Sequence, residues 1–166
     1  MSTSQLAVEP TVSPKEEIVK KKAIVANEVL NEAYDYPRPS SFSRGFRIDI
    51  KGVTILLISG TASIDENGNT VHEGDFHAQT LRTYKNITAL LASEGATWKD
   101  VVRTTCYLRD IERDYAVFNE TRTKFFAEQG LHPVPASTGI QAILCRPDLL
   151  VEIEAIAMFR RESPTE

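Results

Sequence analysis

The residues with the clearest capacity for chemistry lie near the carboxyl end of the chain, where apolar residues alternate with glutamates. The alternation from Val151 to Ala157 predicts a strand that carries Glu152 and Glu154 on the same face. A carboxyl group in a partly apolar cleft has a raised pKa, which a neighbouring carboxylate raises further, so it can transfer protons near neutral pH. We interpret Glu152 as a candidate acid/base and Glu154 as structural. The alternative is that both lie on the solvated face of an ordinary strand.

Groups that could bind an anionic substrate are spread along the chain. Arginine suits a carboxylate because its planar guanidinium donates two parallel hydrogen bonds. The candidates are Arg44, Arg47, Arg109 and Arg146. Any one of them could instead be a surface arginine in a weak ion pair. Ser59 and Gly60, at the end of a predicted strand, could bring backbone N–H groups close to a ligand, although a simple turn is the other interpretation.

The cysteines and histidines show no spacing that is typical of metal ligands. We therefore predict no metal site and no cofactor. Cys145 precedes Arg146 and could contact a substrate or act as a nucleophile, whereas a packing cysteine is the alternative interpretation. Cys106 lies within a predicted strand and is interpreted as a core residue.

The bulk composition excludes several classes of protein. The chain has 166 residues, is 42% hydrophobic and 25% charged, and carries a net charge of -4, as is typical of one globular domain. An acidic chain without a basic stripe gives no reason to expect a nucleic-acid partner. We find no signal peptide and no apolar run long enough to cross a membrane, so we predict a cytoplasmic protein without a membrane partner.

The amino-terminal part of the chain is predicted to be separate from the core. Residues 1–13 read as a flexible tail. Ser13, Pro14 and Glu16 are typical of a helix start, and a broad apolar stripe follows them, so we predict a helical extension over residues 14–36. A core domain over residues 40–160 and a short tail over residues 161–166 complete the predicted organisation.

The core has a regular succession of elements. Alternating runs predict strands, and 3.6-residue periodicity predicts helices that end at glycines, the first of them capped by Asp75. The predicted elements are strands at 46–50 and 53–59, a helix at 76–94, a strand at 101–108, a helix at 113–129, and strands at 139–144 and 149–159. This ββαβαββ order predicts an α+β sandwich with both helices on one face of the sheet.

Several of these segments together resemble the RidA (YjgF) family. They are the Ser59–Gly60 pair, the helix segment 79–91, the strand segment 101–110, the run 115–119 and the closing strand 151–157. The resemblance implies a chorismate-mutase-like fold and a homotrimer with small-molecule clefts between its subunits. It also implies hydrolysis of reactive enamines and imines, of the 2-aminoacrylate type, to keto acids and ammonia.

The resemblance also assigns roles to single residues. The family's site asparagine matches Asn119, its cleft tyrosine matches Phe42, and the first glutamate of its closing strand matches Glu152. Active members hold the substrate carboxylate with an arginine at the position that is Ser137 here. This departure keeps open a non-catalytic ligand-binding or regulatory trimer as an alternative function.

A narrower set of motifs is similar to the chorismatase branch of the same superfamily, which hydrolyses an enol ether. The motifs are residues 42–44, 59–64, 72–75, 107–110 and 145–155. Because Arg44 and Arg146 lie within them, we favour these two as replacements for the missing arginine. Chorismatase-like hydrolysis is thus a second alternative.

The sequence therefore predicts a hydrolase or deaminase that acts on a small enamine or imine with a carboxylate, resembling 2-aminoacrylate or 2-aminomuconate, with Glu152 as the acid/base. The predicted substrate-binding residues are Phe42, Arg44, Ser59, Gly60, Asn119, Ser137, Cys145 and Arg146.

Overall fold

Six strands form one mixed sheet in the computed structural model, which describes residues 19–160. The elements in chain order are β1 (Val19–Ala23), β2 (Gly45–Ile50), β3 (Val53–Ala62), α1 (Phe76–Ser93), β4 (Val101–Leu108), α2 (Ile111–Glu128), β5 (Ala136–Gln141) and β6 (Val151–Arg160). The strand order in the sheet is β1-β2-β3-β6-β4-β5, with β4 and β5 parallel and all other neighbours antiparallel. The predicted α+β fold with two helices packed on the sheet is confirmed.

Both long helices begin after an aspartate cap. The sequence predicts the first cap, Asp75, whereas the second helix begins at Ile111, two residues before the predicted start at Arg113, because Asp110 caps it. The side chain of Asp75 accepts a hydrogen bond from the backbone N–H of Ala78 at 2.9 Å, and Asp110 accepts one from Arg113 at 3.0 Å. These bonds satisfy backbone donors that the first helical turn leaves without partners. Gly95 and Gly130, with φ of 74° and 65°, follow the helix ends in a conformation that glycine adopts without strain.

The core lies between the helices and one face of the sheet. Along β6, the side chains of Val151, Ile153, Ala155 and Ala157 are buried, and the residues between them face the other side. Behind the sheet, Tyr84 of α1 stacks on Phe125 of α2 with ring centroids 4.4 Å apart, and Trp98 packs edge-on against both rings. Such aromatic pairs fix the position of one helix relative to the other.

The predicted helix over residues 14–36 is wrong within the described residues. Residues Val19–Ala23 form β1, which pairs antiparallel with β2, and only Ala33–Asp35 make a single 3₁₀ turn. The prediction for residues 14–18, and those for both tails, lie outside the described residues. Of the predicted apolar stripe, Leu30 and Ala33 are fully buried, whereas Val25 is 46% exposed. Ile24 and Leu30 pack in the core from a strand end and a turn. The free edge of β2 offers unpaired backbone groups that a strand satisfies and a helix does not.

The strand predicted at residues 139–144 begins earlier, at Ala136, and ends at Gln141. Parallel pairing with β4 sets these bounds, because Ala136 lies opposite Arg103 and Gln141 lies opposite Leu108. The shift places Ser137 inside the edge strand rather than in the loop before it.

The sheet face opposite the helices carries exposed apolar side chains. Phe46, Leu57 and Met158, on three neighbouring strands, are 42%, 41% and 47% exposed. An apolar patch of this kind on a sheet is typical of a surface that contacts another protein. Within residues 19–160, no helix is both long and apolar enough to cross a membrane.

Candidate functional site

Seven of the predicted site residues line one cavity of about 510 Å³, which we call the Glu152 cavity. It lies where β3 and β6 meet the segment before β2 and the loop before β6. The seven are Phe42, Arg44, Ser59, Gly60, Cys145, Arg146 and Glu152. Its volume falls within the range of small-molecule sites, and its walls combine apolar side chains with a few polar groups.

An irregularity in the sheet opens space for the carboxyl group of Glu152. The register between β3 and β6 shifts between Ile58 and Thr61, so Ser59 and Gly60 lie in a bulge beside Glu152. A β-carbon on Gly60 would lie 2.0 Å from Oε1 of Glu152. The glycine is therefore required for the carboxyl group to occupy this position.

The environment of Glu152 favours the protonated carboxyl group. Burial raises its pKa, and the negative charge of Glu154 raises it further. No hydrogen bond from residues 19–160 reaches the Glu152 carboxyl, so nothing in the described chain offsets the loss of solvation. In contrast, Glu154 accepts a hydrogen bond from the hydroxyl of Tyr107 at 2.5 Å, which gives it a structural partner. The cavity thus holds a carboxyl group whose pKa lies above its usual value.

Arg44 forms one wall of the Glu152 cavity and is held rigidly. It is only 4% exposed, and its Nε and Nη2 donate to the backbone oxygen of Asn31 at 3.1 Å and 2.9 Å. Nη2 also contacts the hydroxyl of Tyr36, and the guanidinium lies 5.3 Å from the ring centre of Phe42. Burial lowers the pKa of Arg44 from its usual value. Nη1 has no hydrogen-bond partner among the described residues, so the cation can still donate to a ligand.

Arg146 and Cys145 reach the cavity on a loop that α1 and β4 hold in place. Gln79, fully buried in α1, donates to the backbone oxygen of Asp148 at 2.9 Å. Arg109 donates to the backbone oxygen of Leu149 at 2.6 Å and also to that of Arg146. The side chain of Arg109 thus holds the backbone of this loop in place.

The side chains of the loop itself differ in their surroundings. Arg146 donates to the backbone oxygen of Gly68, and Cys145 is an exposed free thiol. The remaining candidate cation, Arg47, lies on the helix side of the sheet and is 1% exposed. It forms an ion pair with Glu94 at 3.0 Å, so it is a structural residue.

The other two predicted residues, Asn119 and Ser137, lie elsewhere. They line a cavity of about 490 Å³ between α2 and β5, which we call the Asn119 cavity. Its lining residues include none of those that line the Glu152 cavity. Within one chain, the predicted site is therefore divided into two halves.

The Asn119 cavity contains an arginine that the sequence reasoning missed. Arg122 donates from Nη2 to Oδ1 of Asn119 at 2.7 Å and from Nη1 to Oγ of Ser137 at 3.2 Å. The three-residue spacing between Asn119 and Arg122 places both on one face of α2, and this signal could have identified it.

The described residues contain no group of three or more His, Cys, Asp or Glu side chains that could hold a metal ion. The groups in the two cavities that could take part in chemistry are the carboxyl group of Glu152 and the arginines that can bind an anion.

Comparison with known proteins identifies the family. The protein-family model described as endoribonuclease L-PSP matches residues 37–159. The chain belongs to this family, which includes the RidA/YjgF proteins. A RutC family protein of Pyrococcus abyssi is 35% identical over 108 residues, which cover 65% of this chain and 81% of that protein. The resemblance that the sequence motifs carry is thereby confirmed.

Two further RidA/YjgF relatives add to this comparison. A protein of Acinetobacter baylyi named 3-aminoacrylate deaminase RutC is 36% identical over 107 residues, covering 64% of this chain and 81% of that protein. The crystal structure of the YjgF gene product of E. coli superposes with a TM-score of 0.66 at 27% identity, covering 84% of this chain and 99% of that one. The cytoplasmic location predicted from the sequence stays a prediction.

Proposed function

We propose that the protein is a hydrolase that converts a small enamine or imine carrying a carboxylate into the corresponding carbonyl acid and ammonia. The observation that carries this proposal is the Glu152 carboxyl group, with its raised pKa, held against Gly60 in a cavity that also contains Arg44. Membership of the RidA/YjgF family and the likeness to a protein named 3-aminoacrylate deaminase support the same reaction type.

Glu152 can act at both stages of such a hydrolysis. In the protonated state, it donates its proton to the enamine carbon, which yields an iminium ion with an electrophilic C–N carbon. In the resulting carboxylate state, it takes a proton from the water that attacks this carbon, which gives a carbinolamine, and it then donates this proton to the nitrogen. As ammonia leaves and the carbonyl forms, the carboxylate accepts the hydroxyl proton, which restores the protonated state of Glu152. The net reaction consumes one water molecule and needs no oxidant or cofactor. A raised pKa suits both steps because the group must change its protonation state near neutral pH.

The proposed active form is a homotrimer in which the two cavities of neighbouring subunits face each other. In one chain, Asn119 and Ser137 lie in a different cavity from Glu152. The exposed apolar side chains of Phe46, Leu57 and Met158 supply a surface for association on the open sheet face. Packing of three such faces would bury the patch and allow one complete site at each subunit boundary.

The test is a turnover assay with the full-length protein on 2-aminoacrylate and 3-aminoacrylate, each generated in situ, with 2-aminomuconate and chorismate as further substrates. We expect faster release of the carbonyl acid than in buffer, and a loss of about a hundredfold or more in Glu152→Gln, because glutamine cannot transfer the proton. Glu112→Gln, which removes an exposed carboxylate from the first turn of α2, is the matched control and should retain full activity.

Three results would count against the proposal. Equal turnover by the wild-type protein and Glu152→Gln would remove the role of Glu152. Turnover of chorismate alone would support enol-ether hydrolysis in its place. Ligand binding without any turnover would support the non-catalytic alternative that Ser137 motivates.

A further inference from the structure

The Asn119 cavity contains a cation that has no anionic partner among residues 19–160. Among the described residues that line it, Arg122 alone carries a charge. No carboxylate within residues 19–160 forms an ion pair with Arg122, and its hydrogen-bond partners are the neutral oxygens of Asn119 and Ser137. A half-buried guanidinium that lacks a counter-ion is a favourable site for an anion.

The surroundings of Arg122 strengthen such an interaction. Phe126, Leu131 and Val134 give the cavity apolar walls, which lower the local dielectric constant and increase the attraction between opposite charges. The guanidinium also lies 5.1 Å from the ring centre of Phe118, which restricts its motion. A restricted cation loses less entropy when it binds a ligand than a free surface arginine does.

Ser137 and Asn119 complete the donor set for a carboxylate. The Oγ atom of Ser137 accepts hydrogen bonds from Thr104 Oγ1 at 3.0 Å and from Arg122 at 3.2 Å, so its own proton is available to donate. Beyond these, its only polar neighbour in the described chain is the weak acceptor Sγ of Cys106 at 3.8 Å. Asn119 uses its oxygen for Arg122, which leaves its amide N–H groups free. Three donors of different type thus converge beside one cavity.

We propose that Arg122 binds the carboxylate of the substrate, with Ser137 and Asn119 as auxiliary donors. The arginine that binds the substrate carboxylate is then Arg122 on α2, and not Arg44 or Arg146 as the sequence predicts. Arg44 and Arg146 are left to contact other parts of the substrate in the Glu152 cavity. The inference rests on the proposed function for the identity of the ligand, but the binding of a carboxylate can be measured without turnover.

The experiment measures the affinity of pyruvate, a carbonyl acid of the proposed product class, for the full-length protein by calorimetry or NMR titration. All variants carry Glu152→Gln, so the measurement does not depend on catalysis. We expect Arg122→Met to weaken pyruvate binding by about tenfold to a hundredfold, because hydrogen bonds to a charged group are lost. Arg122→Lys keeps the charge without the planar fork and should fall between the two.

Two controls separate a binding role from a general effect of charge or folding. Lys124→Met removes an exposed cation from the same helix and should leave pyruvate affinity unchanged. Methyl pyruvate lacks the negative charge, and its affinity should not respond to Arg122→Met. In the catalytically intact background, Arg122→Met should raise KM much more than it lowers kcat.

Equal pyruvate affinity in Arg122→Met and Lys124→Met overturns the assignment, as does an absence of pyruvate binding before Arg122 is changed. If no enamine is hydrolysed but pyruvate binding still depends on Arg122, the proposed reaction fails while the assignment stands. If the enamine is hydrolysed and Arg122→Met binds pyruvate normally, only the assignment fails.

Discussion

Replacing Gly60 by alanine should move the Glu152 carboxyl group without unfolding the protein. A β-carbon at position 60 would lie 2.0 Å from Oε1 of Glu152, whereas ordinary van der Waals contact begins at 3.4 Å. The oxygen must therefore recede by about 1.4 Å to reach an ordinary contact distance. The atoms at risk belong to the end of a flexible side chain, so the carboxyl group can move while the strands stay paired.

The two consequences of Gly60→Ala differ in size. The free energy of unfolding should change by no more than about 1 kcal/mol, because a rotamer change of Glu152 relieves the clash. Activity should fall by about a hundredfold, since displacement of a catalytic group by 1 Å costs roughly this factor. A hundredfold loss corresponds to about 2.7 kcal/mol in the activation free energy.

The assay compares kcat/KM and urea denaturation for four proteins: wild type, Gly60→Ala, Glu152→Gln and the double variant. The double variant should be no slower than Glu152→Gln alone, because the glycine acts through the carboxyl group. Gly139→Ala is the matched control, since its β-carbon would meet Tyr115 and Ile111 at 3.8 Å and 4.0 Å, which are ordinary contacts. Full activity in Gly60→Ala, or additive losses in the double variant, would refute the reasoning.

Two further predictions concern pH and assembly. The pKa of Glu152 is raised in the folded state, so ionisation is disfavoured there, and the free energy of unfolding should decrease as pH rises from the unfolded pKa near 4.5 through the folded pKa. Glu152→Gln should make this decrease smaller in urea titrations at fixed protein concentration; Glu32, whose pKa burial also raises, contributes the part that remains. A pH profile unchanged by Glu152→Gln would contradict the prediction. Leu57→Asp places a charge on the open sheet face and should convert the proposed trimer to monomers in sedimentation equilibrium. The control, Leu81→Asp on the exposed side of α1, should leave the trimer intact. A monomeric wild-type protein, or a trimeric Leu57→Asp variant, would exclude association through this face.

The helices and strands of the core could be predicted from the sequence because the sequence signals that indicate them are local. Asp75 marks a helix start through a hydrogen bond to the residue three positions away, and the glycines after the helices need only their own backbone conformation. Alternation along β6 reflects the burial of every second residue. Such patterns do not depend on distant parts of the chain.

The partners with which the strands pair could not be predicted from the sequence in the same way. Residues 19–34 contain a stripe that a helix could bury, yet Val19–Ala23 pair with β2 because the edge of that strand is available only in the folded sheet. Similarly, β5 begins at Ala136 because β4 lies beside it in parallel. Local propensity is a weak signal when tertiary hydrogen bonds compete with it.

The sequence by itself determined the family, the order of the core elements and the candidate role of Glu152, since these depend on residue type and spacing. Only the tertiary structure decided which groups meet. It placed Gly60 against Glu152 through a bulge, put Asn119 and Ser137 in a different cavity, and brought the guanidinium of Arg122 to Ser137 across fifteen residues of chain. The physical reason is that the charge, the burial and the free space around a side chain depend on neighbouring residues from other elements. The packing of those elements sets the distances between such residues.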